Sequence, residues 1–142
     1  MGKRYCWVRR AELALAQGEL EQAQDIIDRL IITAPGIEPG DVITYLWMLK
    51  GRVFKRLGRI EESINLLETS AANAQRTGEK FLLWRAHANL GQLYLAKGSS
   101  DAAEKEFLAS GTIVDEIAAT ILDETIRENF LRYAHITLAY YK

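Results

Sequence analysis

Three glycines, Gly18, Gly58 and Gly98, stand 40 residues apart, and the chain around them superimposes on itself at that shift. Trp7 falls on Trp47, and Ala11 on Gly51 and Gly91. Ala14, Phe54 and Tyr94 share one register, Ala23, Ser63 and Ala103 another, and Ile27, Leu67 and Phe107 a third. Leu20 matches Ile60, and the acids Glu21, Glu61 and Asp101 coincide. Small residues recur at small positions and large ones at large positions, which chance alternation of apolar residues would not produce. Self-similarity at a fixed period of about 20–50 residues marks a repeat architecture, in which each unit covers the apolar face of its neighbour. Three units of 40 within 142 residues leave 22 over, enough for one further helix.

Each unit reads as two helices. Trp7, Ala11, Ala14 and Leu15 recur at three- and four-residue intervals up to Gly18, a helix stop that accepts the left-handed backbone. The spacing then predicts a second helix from about Glu19 to Ala34, with Leu20, Ala23, Ile27 and Leu30 on one face. Pro35-Gly36 and Pro39-Gly40, which hold the only two prolines, punctuate the passage to the next unit. Ser99 is placed to cap a helix whose first turn carries Asp101. No stretch shows the strict alternation of a half-buried strand, so the fold class is all-α.

Ala11, Gly51 and Gly91 are expected where the helices of a pair cross, with Ala23, Ser63 and Ala103 as their counterparts. Phe54, Tyr94, Leu67 and Phe107 are expected to fill the space between successive pairs. The predicted product is one domain over residues 1–142, an α-solenoid of three helix pairs at about 4–40, 41–80 and 81–120. A capping helix follows at about 122–141, with Ile126, Phe130, Leu131, Ala134 and Leu138 on one face. Tyr140 and Tyr141 offer a dimer contact as the alternative, and Tyr5 and Trp7 open the first unit without a cap. Either upstream residues cover that first face or it is used for association, so a homodimer through the end faces is one expectation.

Composition narrows the function. The chain is 49% hydrophobic, too apolar for intrinsic disorder. Its 18 basic and 19 acidic residues give a net charge of -1, which argues against a nucleic-acid partner. A single cysteine, Cys6, excludes an internal disulfide framework and favours a reducing compartment. No apolar run reaches the roughly 20 residues that span a bilayer, so the expected location is cytoplasmic, with no membrane partner.

Catalytic patterns are scarce. Gly78-Glu79-Lys80 and Lys97-Gly98-Ser99 lack phosphate-loop spacing, and Ala109-Ser110-Gly111 has no upstream glycine for a nucleophile elbow. His87 and His135 are too far apart in sequence for a zinc pair. His87 takes the slot of Trp7 and Trp47 and reads as a packed residue. Cys6 lies near Arg4, Arg9 and Arg10, but without a partner histidine it reads as an incidental thiol. The adjacent acids Glu61-Glu62, Asp115-Glu116 and Asp123-Glu124 point apart around a helix and read as solvated faces. The expectation is a non-enzyme with no metal and no cofactor.

Leu90-Gly91-x-x-Tyr94-x-x-x-Gly98, then Ala103 and Phe107, resembles the tetratricopeptide signature. Trp47-x-x-Lys50-Gly51-x-x-Phe54-x-x-x-Gly58, then Ser63 and Leu67, resembles it as well. The first unit keeps Trp7, Ala11, Gly18, Ala23 and Pro35 but has Ala14 in the aromatic slot. The period of 40 exceeds the family's usual 34 or so. It is similar to the longer arrays of bacterial maltose-activator-like regulators and multidomain cyclases, and Arg127-Glu128-Asn129-Phe130-Leu131 resembles their closing segment.

The resemblance implies a superhelix whose first helices line a concave, peptide-binding groove. Carried over slot by slot, the lining is Tyr5, Val8, Glu12 and Leu15, then Tyr45, Met48, Arg52, Lys55 and Arg56. Arg85, Ala88, Gln92 and Leu95 continue it, and Glu128, Arg132 and His135 extend it. A basic centre would favour an acidic segment, a carboxyl terminus or a phosphopeptide. The alternative is that Arg52, Lys55 and Arg56 form a solvated face. The asparagine slots of the chaperone-tail clamp hold Glu12, Arg52 and Gln92, so that clamp is not reproduced. The implied function is a protein-interaction scaffold, or a sensor and self-association arm of a larger signalling or transcription-regulator protein.

Overall fold

The computed structural model describes residues 2–33 and 41–141, with side chains over 6–33 and 44–138. Among the described residues all regular structure is helical: α1 (Gly2–Ala16), α2 (Leu20–Ile32), α3 (Asp41–Arg56), α4 (Ile60–Thr77), α5 (Lys80–Ala96), α6 (Ser100–Thr120) and α7 (Glu124–Tyr141). The connection carrying both prolines lies outside the described residues, as do the side chains of Tyr5, Tyr140 and Tyr141. The chain divides into two compact units, Met1–Asn73 and Ala74–Lys142, with the division inside α4.

The turns within the hairpins are built alike. Gly18, Gly58 and Gly98 have φ near +80° (80°, 79° and 83°), a region closed to most side chains. The amide of each glycine donates to the carbonyl three residues back. The next amide donates five residues back: Glu19 to Ala14 at 2.9 Å, Arg59 to Phe54 at 2.9 Å and Ser99 to Tyr94 at 2.8 Å. That pair of bonds is the Schellman closure, which satisfies carbonyls that the helix end leaves open. The reading of Ser99 as a cap is corrected. Its side chain makes no capping hydrogen bond, and its backbone, at φ -96° and ψ 74°, is away from the extended conformation that a capping residue usually takes. Asp123, read as part of a solvated face, does cap: its Oδ1 accepts the Ile126 amide at 3.0 Å.

In the first unit, α1, α2 and α3 share one core in which Ala11, Ala23, Ile27, Leu46, Leu49 and Val53 are fully buried. Each large member contributes roughly 1.5–3 kcal/mol by leaving water. Gly51 of α3 receives Leu67 of α4, whose Cγ would stand 2.9 Å from any added Cβ. In the second unit Gly91 of α5 receives the ring of Phe107 of α6. The small residues thus lie at the helix crossings, as expected. At these crossings Leu67 and Phe107 reach into their own pairs.

Serine hydroxyls stitch these pairs. Ser70 donates to the Thr44 carbonyl at 3.1 Å, and Ser110 to the Trp84 carbonyl at 2.7 Å. The two bonds are one bond repeated at the 40-residue period. Ser63 adds a 2.5 Å bond to the Gly51 carbonyl, and Asn73 bonds the Thr44 hydroxyl. The helix α7 closes the second unit at the start of α5, with ring centroids 6.4 Å apart for Phe81–Phe130 and 6.3 Å for Trp84–Tyr133. Ala134 of its expected inner face is buried, whereas Ile126 is 58% exposed and lies outside the packed face.

Candidate functional site

The helix α3 is two-sided. Leu46, Leu49 and Val53 face α2 and the core, while Arg52, Lys55 and Arg56 follow one another at three- and one-residue steps within a single turn. Side chains three and four apart on a helix are neighbours, so three cations are brought together here. The cost falls on Lys55. Burial, then the adjacent Arg52 and Arg56 charges, lower its ammonium from the ordinary 10.5 to about 8.

The three cations are not equivalent. Arg56 reaches back to α1, where its Nη1 donates to the Leu15 carbonyl at 2.5 Å. A cation at a helix C-terminus also opposes the negative end of the helix dipole. Arg56 is therefore a clamp between α1 and α3. Arg52 and Lys55 remain half-buried on the surface of α3. Lys50 is committed elsewhere, 2.8 Å from Asp28. Arg59 donates to Glu62 at 2.8 Å and stacks 4.0 Å from the Phe54 centroid, and its hydrogen bond holds the Glu62 carboxyl below its ordinary range.

The other expected lining residues divide sharply. Met48 is 0% exposed and belongs to the interior, which removes it from the site. The slot transferred from the repeat signature points inward here because α3 buries both flanks of its inner face. Leu15 and Ala88 are buried as well. Glu12 is half-buried and 3.4 Å from Arg9, and Tyr45 packs against the unit 1 core. In the second unit Arg85 and Gln92 are half-buried on α5, and the Gln92 Oε1 is buried with no hydrogen-bond partner. Arg132 and His135 are exposed on α7. Tyr5 lies outside the residues with described side chains. Within unit 1 the structure thus brings Glu12, Tyr45, Arg52, Lys55 and Arg56 onto the neighbouring helices α1 and α3.

His87 is packed, as its slot suggested, but with a partner: its Nδ1 lies 2.5 Å from Glu106 Oε2 across the α5–α6 pair. Among the described residues no group of three His, Cys, Asp or Glu side chains could hold a metal, and no helix is long and apolar enough to cross a membrane. Sequence reasoning missed a hollow of about 450 Å³ on α1 and α2, where Arg10 stacks 4.7 Å from the centroid of the exposed Trp7.

Residues 5–29, 44–74 and 85–110 each match a family model described as tetratricopeptide repeat. The chain belongs to the tetratricopeptide repeat family. Each match falls on one hairpin: α1–α2, α3–α4 and α5–α6. Comparison with curated proteins and with solved structures gave no match. Tetratricopeptide repeats are generally protein–protein interaction modules and typically non-catalytic scaffolds.

Proposed function

We propose that this protein is a non-catalytic scaffold whose α1–α3 surface binds an acidic segment of a partner protein. The observation that carries the reading is the run of Arg52, Lys55 and Arg56 within one turn of α3, in a chain of net charge -1. Arg56 holds α3 against α1, so the surface is rigid before binding and little ordering entropy opposes association. Arg52 supplies a planar fork for a carboxylate or phosphate, and Lys55 a compact ammonium. An arriving anion relieves the repulsion among the three cations, so part of its binding energy comes from charges already in place.

The test is fluorescence anisotropy with a labelled glutamate-rich peptide and with its glutamine counterpart. Arg52→Glu combined with Lys55→Glu is expected to weaken the acidic peptide at least tenfold without changing helicity. Equal affinity for native and variant chains would remove the basic surface from the reading.

A second reading, a self-association arm of a larger regulator, is favoured by the hollow on α1 and α2. Trp7 there is 45% exposed beside Arg10, Asp25, Ile26, Arg29 and Leu30. The 40-residue period, similar to that of the regulator arrays, agrees with this reading. Sedimentation equilibrium tests it: Trp7→Ser is expected to reduce any dimer, while an unchanged monomer in both chains counts against self-association.

A further inference from the structure

The helix α7 packs on α5 and α6 with the face that carries Phe130 and the buried Ala134. The opposite face is apolar as well. Ile126 is 58% exposed, Tyr133 47% and Ile136 65%. With Asn129, also exposed, they follow one another at steps of three, four and three residues. That is the spacing by which one helix packs along another, whereas a helix whose outer face meets only water carries polar residues there. Tyr133 is fixed before any partner arrives. Its ring stands edge-on to the buried Trp84, at 86° and 6.3 Å between centroids, and presents its free side outward. A rigid aromatic side chain of this kind costs little to order and is a common interface anchor.

The charges beside this stripe select what covers it. Along the exposed side the acids Glu124 and Glu128 come first and Arg132 follows. Arg127 does not break that order, because it turns away and its Nη1 donates to the Ile121 carbonyl at 3.1 Å. Glu128 and Arg132 stand one turn apart on the same flank of the stripe, yet among the described residues they form no ion pair with each other. A helix with acid before base complements itself when reversed.

We infer that α7 is a self-association surface, on which a second copy of this chain pairs antiparallel through Ile126, Asn129, Tyr133 and Ile136. Ile126 then lies against the partner's Ile136 and Asn129 against the partner's Tyr133. Each Arg132 meets the other copy's Glu128, so the twofold axis makes the ion pair twice. A parallel pair would turn that flank toward Phe130 and Thr137 of the other copy and leave both charges unmatched. Asn129 costs some stability in the seam and fixes its register. The stripe is short for an isolated coiled coil, but each α7 is already held by α5 and α6, so no helix has to form on pairing. The contact is a form of the self-association read above, yet it rests on α7 and not on the hollow beside Trp7.

Sedimentation equilibrium of the full chain tests it. A monomer–dimer equilibrium is expected, which Ile126→Asn/Ile136→Asn weakens about tenfold or more. Both positions are exposed, so circular dichroism should be unchanged. Glu128→Arg and Arg132→Glu should each weaken the dimer by setting like charges together. An equimolar mixture of these two variants should associate again, since each supplies the sign that the other lacks. Trp7→Ser should leave the dimer intact. A chain that stays monomeric to about 1 mM would overturn the inference. So would a dimer indifferent to the α7 substitutions, or one lost in Trp7→Ser and kept in Ile126→Asn/Ile136→Asn. Single charge variants that associate like the native chain would overturn the antiparallel pairing.

Discussion

The ring of Phe107 occupies the space in which a side chain on Gly91 would begin. A Cβ built on Gly91 would stand 2.8 Å from both Cε1 and Cζ of that ring, closer than such atoms approach. Phe107 is 8% exposed, and its ring would have to shift to admit the added carbon.

Gly91→Ala is therefore expected to destabilise the second unit by about 1–3 kcal/mol through overpacking, despite the better helix propensity of alanine. Thermal melts of the single variants and of Gly91→Ala/Phe107→Leu check this. The double variant should recover part of the loss, because the two positions share one space. Strictly additive losses would show that the contact is not the cause.

Gly58→Ala tests a different cost. Nothing lies within 4 Å of a Cβ built there, but the backbone φ is +79°. The expected loss is about 1–2 kcal/mol from the left-handed conformation alone. Asn at the same position should lose less, since Asn visits this region more readily. Melting temperatures ordered Gly58, Asn and then Ala are the expected outcome.

Arg56 and Arg52 should separate stability from binding. Arg56→Gln removes the bond to the Leu15 carbonyl and is expected to cost about 1 kcal/mol of stability. Arg52→Gln should leave the melting temperature nearly unchanged and weaken acidic peptides. Urea denaturation and anisotropy on the same two variants distinguish the roles.

Lys55 predicts a pH dependence of definite sign. Its folded value, about 8, lies below the ordinary 10.5 of the unfolded chain. Between these values the unfolded chain binds more protons, so this group's contribution to stability rises with pH. Below about pH 8 the full cost of the buried charge is present. Lys55→Gln should accordingly stabilise the fold near neutral pH, and its advantage should vanish above 10.5. Acidic-peptide binding should behave oppositely, weakening as the pH passes about 8. Lys55→Arg, which stays charged, should hold its affinity there.

Much of the fold was legible because the constraint was repeated. A glycine needed for a left-handed turn appears at Gly18, Gly58 and Gly98, and the small partner of a large side chain appears at Gly51 and Gly91. The serine stitches were legible in principle, since Ser70 and Ser110 stand one period apart. The site was less so. Periodicity says which face of a helix carries a residue but not how far a long side chain reaches. Nothing in the spacing tells that Arg56 crosses to a carbonyl 41 positions away. Met48 fails for a related reason, because a slot inherited from a signature does not record how wide a face its helix buries.

The serine bonds have a further consequence for how the molecule comes into being. Ser63 closes on Gly51 across 12 positions, and Ser70 and Ser110 each close across 26. Such short closures keep contact order low, and a low contact order goes with rapid folding. A hairpin of this kind has all its stitching partners as soon as its second helix has emerged from the ribosome. The α3–α4 pair can thus be complete while α5 is still being synthesised, so assembly can follow the order of translation.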